Sequence, residues 1–524
     1  MKRNISKKNL FIDVNHNFKL KDTILKKETL KKSGEFNILN IKENLNKIGW
    51  HDNTKDKLWR YNQNYFDDLN SYNSYEKKSY HKNIFYSWID DNQNLNLVPW
   101  DPYPTSLRIV NIIKWISKNS ILEKKLLTSL AFQSRFLFNN IEYHILGNHL
   151  FSNAKALIFA GIFFDTAESS KWLSKGIHLM QQELKEQILE DGGHFEKSPM
   201  YHAIFLEDCL DLLNIITNNK NKIIYYDVID LINISKKMIS WMVKMNHPDK
   251  KVSFFNDSVF EISSSETELI NYAKCIKVLD DDHEYMNYRK KNEDISFNYL
   301  KSSGYVTAST KQSYFIADIG TVGPNYIPSH AHADTLSYEF SLFNNRVFVN
   351  TGTSTYENNF DRKYERGTKS HNTVEINERN STDVWSSFRT GKRAFPIKIK
   401  VDNLPGEKII DCTHNGYSNF FKSILHNRKW NLKNNSLCIE DRIFGNNCNS
   451  VGRHILHPSV KIISSINGII QLEDLEKNLI FFKVIYGIPS FTKTYYSPEF
   501  NLKISTQAID IKLINNFSKV EISW

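Results

Sequence analysis

The sequence predicts an α+β multidomain protein in which stacked helices are followed by an antiparallel β-sandwich. Three observations lead to this prediction. The chain has 524 residues, which is too long for one ordinary hydrophobic core. Apolar residues recur at helical spacing from about residue 100 to 250, and the pattern becomes strand-like alternation after about residue 295. The composition, with 40% hydrophobic and 24% charged residues, excludes a disordered or collagen-like chain.

The helical part contains six amphipathic segments joined by short loops. Thr105 and Ser106 precede the first segment, in which Leu107, Val110 and Ile113 recur at helical spacing. The segments are LRIVNIIKWISK, ILEKKLLTSLAFQSRFLFNNI, NHLFSNAKALIFAGIFF, SSKWLSKGIHLMQQELKEQIL, SPMYHAIFLEDCLDLLNIITN and VIDLINISKKMISWMVKM. Consecutive antiparallel helices with short connections indicate helical hairpins stacked as a bundle, a solenoid or a toroid.

Ten short segments of the C-terminal part have the composition of strands, because they are rich in β-branched and aromatic residues. They are GYVTAST, SYFIADIG, TLSYEFSLF, RVFVNTG, HNTVEIN, IKIKVDN, SILHNRKWNL, SLCIEDRIFG, VGRHILHP and LIFFKVIYG. Since no helices intervene, we expect antiparallel sheets packed as a sandwich. The charged stretch at residues 280–296 marks the boundary, which predicts a helical N-terminal cap at 1–95, a helical domain at 96–292 and a β-sandwich at 293–524.

Charge, cysteines and the N-terminus predict the compartment and the class of partner. Lys and Arg number 68 against 58 Asp and Glu, and this net charge of +10 weakly favours an anionic ligand. The five cysteines form no CxxC pair, which is typical of a reducing compartment. The basic N-terminus lacks the apolar segment of a secretion signal, so we expect a cytoplasmic protein, or a periplasmic one if a leader was removed. No apolar run is long enough to predict membrane insertion.

Two clusters of polar residues fall at predicted helix starts. Asn148 and His149 open one helix, where an Asn is most often only an N-cap. The second cluster is DGGHFEKSPMYH, which contains His194 and places Tyr201 and His202 in the first helical turn. A Tyr-His pair after a Gly-rich loop puts two titratable groups at one helix N-terminus.

Two further clusters fall in the predicted sandwich. In SHAHAD, strand alternation would place His330, His332 and Asp334 on one face, as in a metal or acid-base site. A hydrogen-bonded His pair on a sheet is the alternative. In RKYERGTKSHNT, a solvated loop would explain Arg362, whereas Arg366 followed by His371-Asn372 is harder to explain in that way.

The motifs together resemble the heparinase II/III-like polysaccharide lyases, a family of the alginate lyase and heparinase superfamily. They are WDPYPTSLRIVNIIKW, GNHLFSNAKALIFAGIFF, DGGHFEKSPMYH, SHAHADTLSYEF and RGTKSHNTV, and they occur in the family's order from about residue 55 onward. The resemblance implies an N-terminal incomplete α/α toroid followed by a C-terminal antiparallel β-sandwich. It also implies an active site in the cleft between the two.

The resemblance implies cleavage of a uronic-acid-containing glycan by β-elimination. Asn148 and His149 match the positions that neutralise the uronate carboxylate, a role that suits hydrogen-bond donors. Tyr201 matches the Brønsted base and acid, and His330 matches a second proton-transfer residue. We therefore expect the phenol of Tyr201 and the imidazole of His330 to face each other. The implied substrate contacts are His194, His202, Tyr356 and Arg366, whose guanidinium suits a carboxylate or sulfate.

The resemblance also implies one structural Zn²⁺ in the sandwich. His332 and His371 match two of its ligands, but Asn350 stands where the family has an Asp. A neutral amide is a weaker ligand than a carboxylate, so the site is lost, weakened or completed by another residue such as Asp334.

The expected partner is an acidic polysaccharide or oligosaccharide, and a homodimer stays open. The alternative function is a non-catalytic or differently reactive glycan-binding protein of capsule or lipopolysaccharide biosynthesis, which a cytoplasmic location would suit. Nucleic acid is not expected as a partner, because no basic stripe or recognised binding motif accompanies the net charge.

Overall fold

The computed structural model describes residues 2, 5–223, 228–280 and 295–524. The chain forms two compact units, and each is built from separate stretches of sequence. The first unit comprises Met1–Ile188, Phe205–Lys236 and Glu268–Asp281, and the second comprises Leu189–Ile204, Lys237–Thr267 and Asp282–Trp524. Most of the boundary predicted at 280–296 lies outside the described residues. The stretch 189–204, which carries Tyr201, therefore belongs to the same unit as the sheets of the C-terminal half.

Helices dominate the N-terminal half, and the six predicted helices are present as α4 to α9. Among the described residues the helices are α1 (Leu45–Ile48), α2 (Lys57–Gln63), α3 (Lys78–Asp91), α4 (Pro102–Asn119), α5 (Lys124–Asn139), α6 (Gly147–Phe163), α7 (Ala167–Gln187), α8 (Pro199–Asn218), α9 (Ile229–Met245), α10 (Glu266–Cys275) and α11 (Phe360–Glu365). In the described part of the chain, no helix combines the length and apolar character that a membrane crossing requires.

The first unit is organised around α6, which is buried on nearly all sides. Its side chains Leu157 and Ile158 are fully buried, as are Ile112 and Ile113 of α4, consistent with a helix that is apolar around its circumference. The predicted N-terminal cap contains α2 and α3 together with an antiparallel hairpin of β1 (Glu35–Ile38) and β2 (Ile41–Asn44).

The second unit contains the remaining strands, which pair antiparallel throughout the described residues. They are β3 (Ser296–Leu300), β4 (Tyr305–Ser309), β5 (Ser313–Asp318), β6 (Tyr338–Leu342), β7 (Asn345–Phe348), β8 (Val374–Ile376), β9 (Val384–Trp385), β10 (Arg389–Thr390), β11 (Pro396–Leu404), β12 (Glu407–His414), β13 (Leu425–Lys433), β14 (Ser436–Phe444), β15 (Ser450–Ile455), β16 (Lys461–Ile466), β17 (Ile469–Glu473), β18 (Leu479–Tyr486), β19 (Ile488–Tyr496), β20 (Ile504–Lys512) and β21 (Phe517–Ser523). The three larger sheets have the orders β3-β4-β5-β6-β7, β11-β12-β13-β14-β21-β18-β17-β16 and β19-β20-β15-β8.

The five-stranded sheet is buried on both of its faces. Phe315 of β5 packs into the main sandwich core, where its ring lies 6.1 Å from that of Trp430. The neighbouring residue Ile316 points to the other face and packs with Trp241 and Phe255 from the 237–267 stretch. This second layer explains why the stretch after α9 belongs to the second unit.

The SHAHAD segment is a loop, which corrects the predicted strand. No strand is assigned between β5 and β6, where Gly323 and Leu336 have positive φ values of 56° and 62°. Positive φ is incompatible with extended pairing, and Pro324 and Pro328 lack the N–H that a ladder needs.

Candidate active site around Tyr201 and His330

Tyr201 is fixed by the cap of helix α8. Pro199 is the first helical residue, and the Ser198 hydroxyl accepts the backbone N–H of Tyr201 at 3.2 Å. The same hydroxyl donates to the carbonyl oxygen of Asp257 at 2.6 Å. Lys197, just before the cap, has a φ of 59°, and such strained residues cluster at functional sites. The helix start therefore has one defined position relative to residue 257.

The predicted contact between Tyr201 and His330 is present. Their ring centroids are 4.0 Å apart with an interplanar angle of 35°. The Tyr201 hydroxyl lies 3.1 Å from the hydroxyl of Tyr356, another predicted site residue. The side chain of His330 retains 13% exposure, so the ring is not sealed from solvent. A phenol and an imidazole in contact form a candidate acid-base pair.

A buried carboxylate, Asp257, lies beneath this pair. His330 donates from Nδ1 to Oδ2 at 2.8 Å, and His332 donates from Nε2 to Oδ1 at 2.8 Å. Arg362 donates to both carboxylate oxygens, to Oδ2 at 2.7 Å. Burial opposes ionisation, yet Arg362 and the hydrogen bonds from both imidazoles hold the pKa of Asp257 well below its usual range. The carboxylate is therefore charged and accepts all of these bonds.

Hydrogen bonding to Asp257 engages Nδ1 of His330 only. With Nδ1 donating to the carboxylate, Nε2 lies 3.6 Å from Oε2 of Glu196. The centroids of the His330 and Phe388 rings are 5.8 Å apart. Orientation of a functional imidazole by a carboxylate on its far nitrogen is a general way to prepare the other nitrogen for proton transfer.

Both arginines of the RKYERGTKSHNT motif are buried. Arg362, expected in a solvated loop, is fully buried on Asp257. Arg366, expected to bind a carboxylate or sulfate, is also fully buried, and it donates to the carbonyl oxygen of Ala331 at 3.2 and 3.0 Å and to Thr390 at 2.9 Å. Burial and the neighbouring Arg362 lower the pKa of Arg366 to about 10. In this structure Arg366 holds the loop between the two histidines, and its contact with a substrate carboxylate or sulfate stays a prediction.

His194 and His202 lie in the interior instead of at a binding surface. His202 accepts the backbone N–H of His194 at 3.2 Å through Nδ1 and donates from Nε2 to the carbonyl oxygen of Met238 at 2.9 Å. Its ring lies 4.3 Å from that of Trp241. Both histidines are fully buried, and burial lowers the pKa of His202 to about 4. Both side chains are thus buried in this structure, and the predicted substrate contacts at 194 and 202 stay predictions.

The residues at the implied zinc position do not form a complete tetrahedral site. Nδ1 of His332 and Nε2 of His371 are 3.3 Å apart, but the other nitrogen of His332 is bonded to Asp257. Asn350 already accepts the backbone N–H of Asn372 at 3.2 Å. Across residues 2, 5–223, 228–280 and 295–524, no three His, Cys, Asp or Glu side chains are grouped to hold a metal ion.

The remaining zinc candidate, Asp334, is also engaged elsewhere. Its carboxylate accepts the backbone N–H of Asn256 at 3.3 Å, and burial raises its pKa to about 6. A hydrogen bond from Nε2 of His371 to Nδ1 of His332 pairs these two facing nitrogens without an ion between them. The residues of this chain therefore do not fit the implied metal.

Asn148 and His149 lie at the start of α6 in the first unit. The His149 ring stacks on Tyr103 at 4.1 Å and 21°, and its Nδ1 faces Oε2 of Glu142 at 3.1 Å. The side chain of His149 is 23% exposed. Asn153, one turn later, bonds the backbone N–H of Glu142 and so supports the turn before the helix. Positive φ values at Leu146 and Gly147 form the tight entry to α6.

Asp257 and Arg362 are the functional-site residues that sequence reasoning missed. Asp257 follows Phe254 and Phe255 in an irregular segment, and its partners are 73 to 105 positions away in the chain. The available signal was a carboxylate in a short polar stretch between Phe255 and Val259, because a charge buried among apolar residues requires a partner. Asn256 before it has a φ of 56°, which Asn tolerates better than most residues.

Comparison with known proteins identifies the family. A family model described as Heparinase II/III N-terminus matches residues 2–288, and one described as Heparinase II/III-like, C-terminal matches residues 293–524. A heparin-sulfate lyase from Bacteroides stercoris is 25% identical over 359 residues, which cover 64% of this chain and 50% of the relative. Another from Bacteroides thetaiotaomicron is 24% identical over 336 residues, covering 57% and 47%. The chain spans about half the length of these curated relatives.

Solved structures agree in fold. A crystal structure of heparinase III superposes with a TM-score of 0.70 at 18% identity, covering 88% of this chain and 76% of the other. A chondroitinase AC lyase superposes with a TM-score of 0.55 at 12% identity, covering 94% and 78%. This likeness confirms the predicted fold class, a toroid followed by an antiparallel sandwich. Because the two family models together match nearly the whole chain, the chain belongs to the heparinase II/III-like family.

Proposed function

We propose that this chain is a polysaccharide lyase that cleaves an acidic, uronate-containing glycan by β-elimination. The observation that carries the proposal is the contact of the Tyr201 phenol with the imidazole of His330, which is oriented by Asp257. The family's curated relatives are named heparin-sulfate lyases, and this favours a glycosaminoglycan as the substrate class.

In the proposed reaction a base removes the C5 proton of the uronate. The C5–H electrons form the C4=C5 double bond, the C4–O bond breaks, and the departing glycosidic oxygen receives a proton. Tyr201 serves as the base and then as the acid. His330 is the second proton-transfer residue and takes the role opposite to that of Tyr201. Asn148 and His149, by their match to the family motif, neutralise the uronate carboxylate.

Tyr356 supports a phenolate on Tyr201. An ordinary tyrosine titrates near about 10 and is a poor base at neutral pH unless donors stabilise its anion. Burial and the charge of Asp257 raise the pKa of Tyr356 well above its usual value. Tyr356 therefore keeps its hydroxyl proton, which it can donate to a phenolate oxygen of Tyr201 3.1 Å away.

The test is incubation with a panel of heparan sulfate, chondroitin sulfate and alginate. Wild type is expected to generate the ultraviolet absorbance of an unsaturated uronate, and mass spectrometry is expected to show products without an added water. Tyr201→Phe should lower the rate by at least about 100-fold, the usual contribution of a general acid-base group. Tyr314→Phe is the matched control, because it removes a hydroxyl that donates to the Lys244 carbonyl oxygen at 2.6 Å.

Two results would contradict the proposal. One is a wild type as inert as Tyr201→Phe across the panel. The other is hydrolytic products that contain the elements of water. Glycan binding without cleavage, unaffected by Tyr201→Phe, would favour a glycan-binding role in surface-polysaccharide biosynthesis.

A further inference from the structure

We propose that Asp257 is a positioning residue that, together with Arg362, fixes the orientation and the tautomer of His330 against Tyr201. The functional importance of His330 rests on the proposed lyase activity. The positioning itself rests on the geometry of the second unit and is measured without substrate.

Residue 257 is bonded to both halves of the acid-base pair. Its side chain accepts Nδ1–H of His330 at 2.8 Å, and its backbone N–H donates to the His330 carbonyl oxygen at 3.1 Å. Its own carbonyl oxygen accepts the Ser198 hydroxyl, which in turn accepts the backbone N–H of Tyr201. The hydrogen bonds of residue 257 therefore fix the position of the Tyr201 phenol relative to the His330 imidazole.

The carboxylate permits only one tautomer of a neutral His330. An ionised carboxylate has no proton to donate, so the facing nitrogen must carry one. Nδ1 is that nitrogen, and Nε2, which lies 3.6 Å from Oε2 of Glu196, is the one left for proton exchange. The opposite tautomer would place two lone pairs against each other at hydrogen-bond distance.

Arg362 makes this arrangement stable and rigid. A buried carboxylate without a cation is costly, and Arg362 supplies the charge with two parallel bonds that fix the carboxylate plane. Asn359 caps α11 by accepting the backbone N–H of Arg362 at 2.9 Å, which holds the arginine at the helix start. The guanidinium also lies 4.8 Å from the ring centroid of Tyr356. Asp257 and Arg362 thus contact both side chains that lie against Tyr201, which are His330 and Tyr356.

The first experiment is ¹⁵N NMR of histidine-labelled wild type without substrate, with the His330 signals assigned by comparison with His330→Gln. We expect protonated Nδ1. In Asp257→Asn, whose amide can accept or donate, we expect a mixture of tautomers. An unprotonated Nδ1 in the wild type would overturn the proposal whether or not the protein is an active lyase.

The second experiment measures kcat and KM on whichever glycan the wild type cleaves. Asp257→Asn is expected to lower kcat about 10- to 100-fold, the range for partners that orient a functional imidazole, with KM unchanged. Asp441→Asn is the matched control, since Asp441 holds Arg428 at 2.7 and 2.9 Å and His426 at 2.8 Å in the same unit. It should reduce thermal stability and leave kcat unchanged.

Loss of folding in Asp257→Asn is addressed by removing both charges together. The double variant Asp257→Asn/Arg362→Gln leaves no unpaired buried charge, and it is expected to fold with the same loss of kcat. A folded double variant with wild-type kcat would overturn the proposal. A wild type inert on all glycans refutes the proposed function, and the NMR result still decides the positioning.

Discussion

Replacing His202 with Gln should remove a source of acid sensitivity from the second unit. His202 is fully buried, and burial lowers its pKa from an ordinary value near 6.5 to about 4. The unfolded chain therefore binds this proton more readily than the folded chain. Stability from the neutral ring is complete above about pH 6.5 and is lost as the pH falls toward 4. Gln has no titratable group, so the variant lacks this loss.

The size of the effect follows from the two pKa values. At about pH 4.5, proton uptake by the unfolded state at His202 costs the fold about 2.5 kcal/mol, whereas at about pH 7.5 it costs about 0.1 kcal/mol. The variant also loses the ring contact with Trp241 and the bond from the His194 N–H, but these losses do not depend on the titration of residue 202. The pH-dependent part of the comparison therefore isolates one proton.

Urea unfolding followed by tryptophan fluorescence measures this difference, and Trp241 is a nearby reporter. The free energy of unfolding of wild type minus that of His202→Gln should fall by about 2.5 kcal/mol between about pH 7.5 and 4.5. The same difference at both pH values would refute the reasoning. It would show that His202 binds protons as readily in the fold as in the unfolded chain.

Two further predictions concern Arg366 and the residues at the implied zinc position. Arg366→Met should lower the free energy of unfolding by about 3 kcal/mol, because the guanidinium holds the Ala331 carbonyl oxygen between the two histidines. For the same reason it should reduce kcat with little change in KM. A raised KM with wild-type kcat would instead indicate direct substrate binding. Elemental analysis of the purified protein should give well under one zinc per chain. Asn350→Asp should increase the zinc content, because a carboxylate is a better ligand than an amide. One tightly held zinc in the wild type would show that His332, His371 and Asn350 suffice as ligands.

The elements with strong local periodicity were predictable from sequence. The segments correspond to α4 to α9 because each places apolar residues at helical spacing, and α6 is buried on nearly all sides. Strands such as β16, with a mostly exposed surface, and β19, which begins Ile-Pro, lack a clear alternation and were not identified. In SHAHAD the alternation was present without a strand, since His330 and His332 both turn toward Asp257 from a loop.

The candidate site was predictable only where chemistry is concentrated in short motifs. Tyr201 and His330 stand in such motifs, and their contact could be anticipated from the resemblance. Arg362 could not be distinguished from a solvated arginine, because its burial depends on a carboxylate 105 positions away. Arg366 was assigned to the substrate because sequence alone does not show that main-chain carbonyl oxygens occupy its donors.

A second Arg-Asp-His cluster in the same unit shows why composition alone does not identify a reaction centre. Asp441 binds Arg428 and His426 with distances like those around Asp257, and all three side chains are buried. Nδ1 of His426, the nitrogen not bonded to Asp441, does not face solvent, because it lies 3.1 Å from Nε2 of the fully buried His414. His330 differs in two respects, since its ring is partly exposed and lies against a phenol. The same buried carboxylate chemistry thus stabilises the sandwich at one position, whereas at the other it orients an accessible imidazole toward a second titratable group.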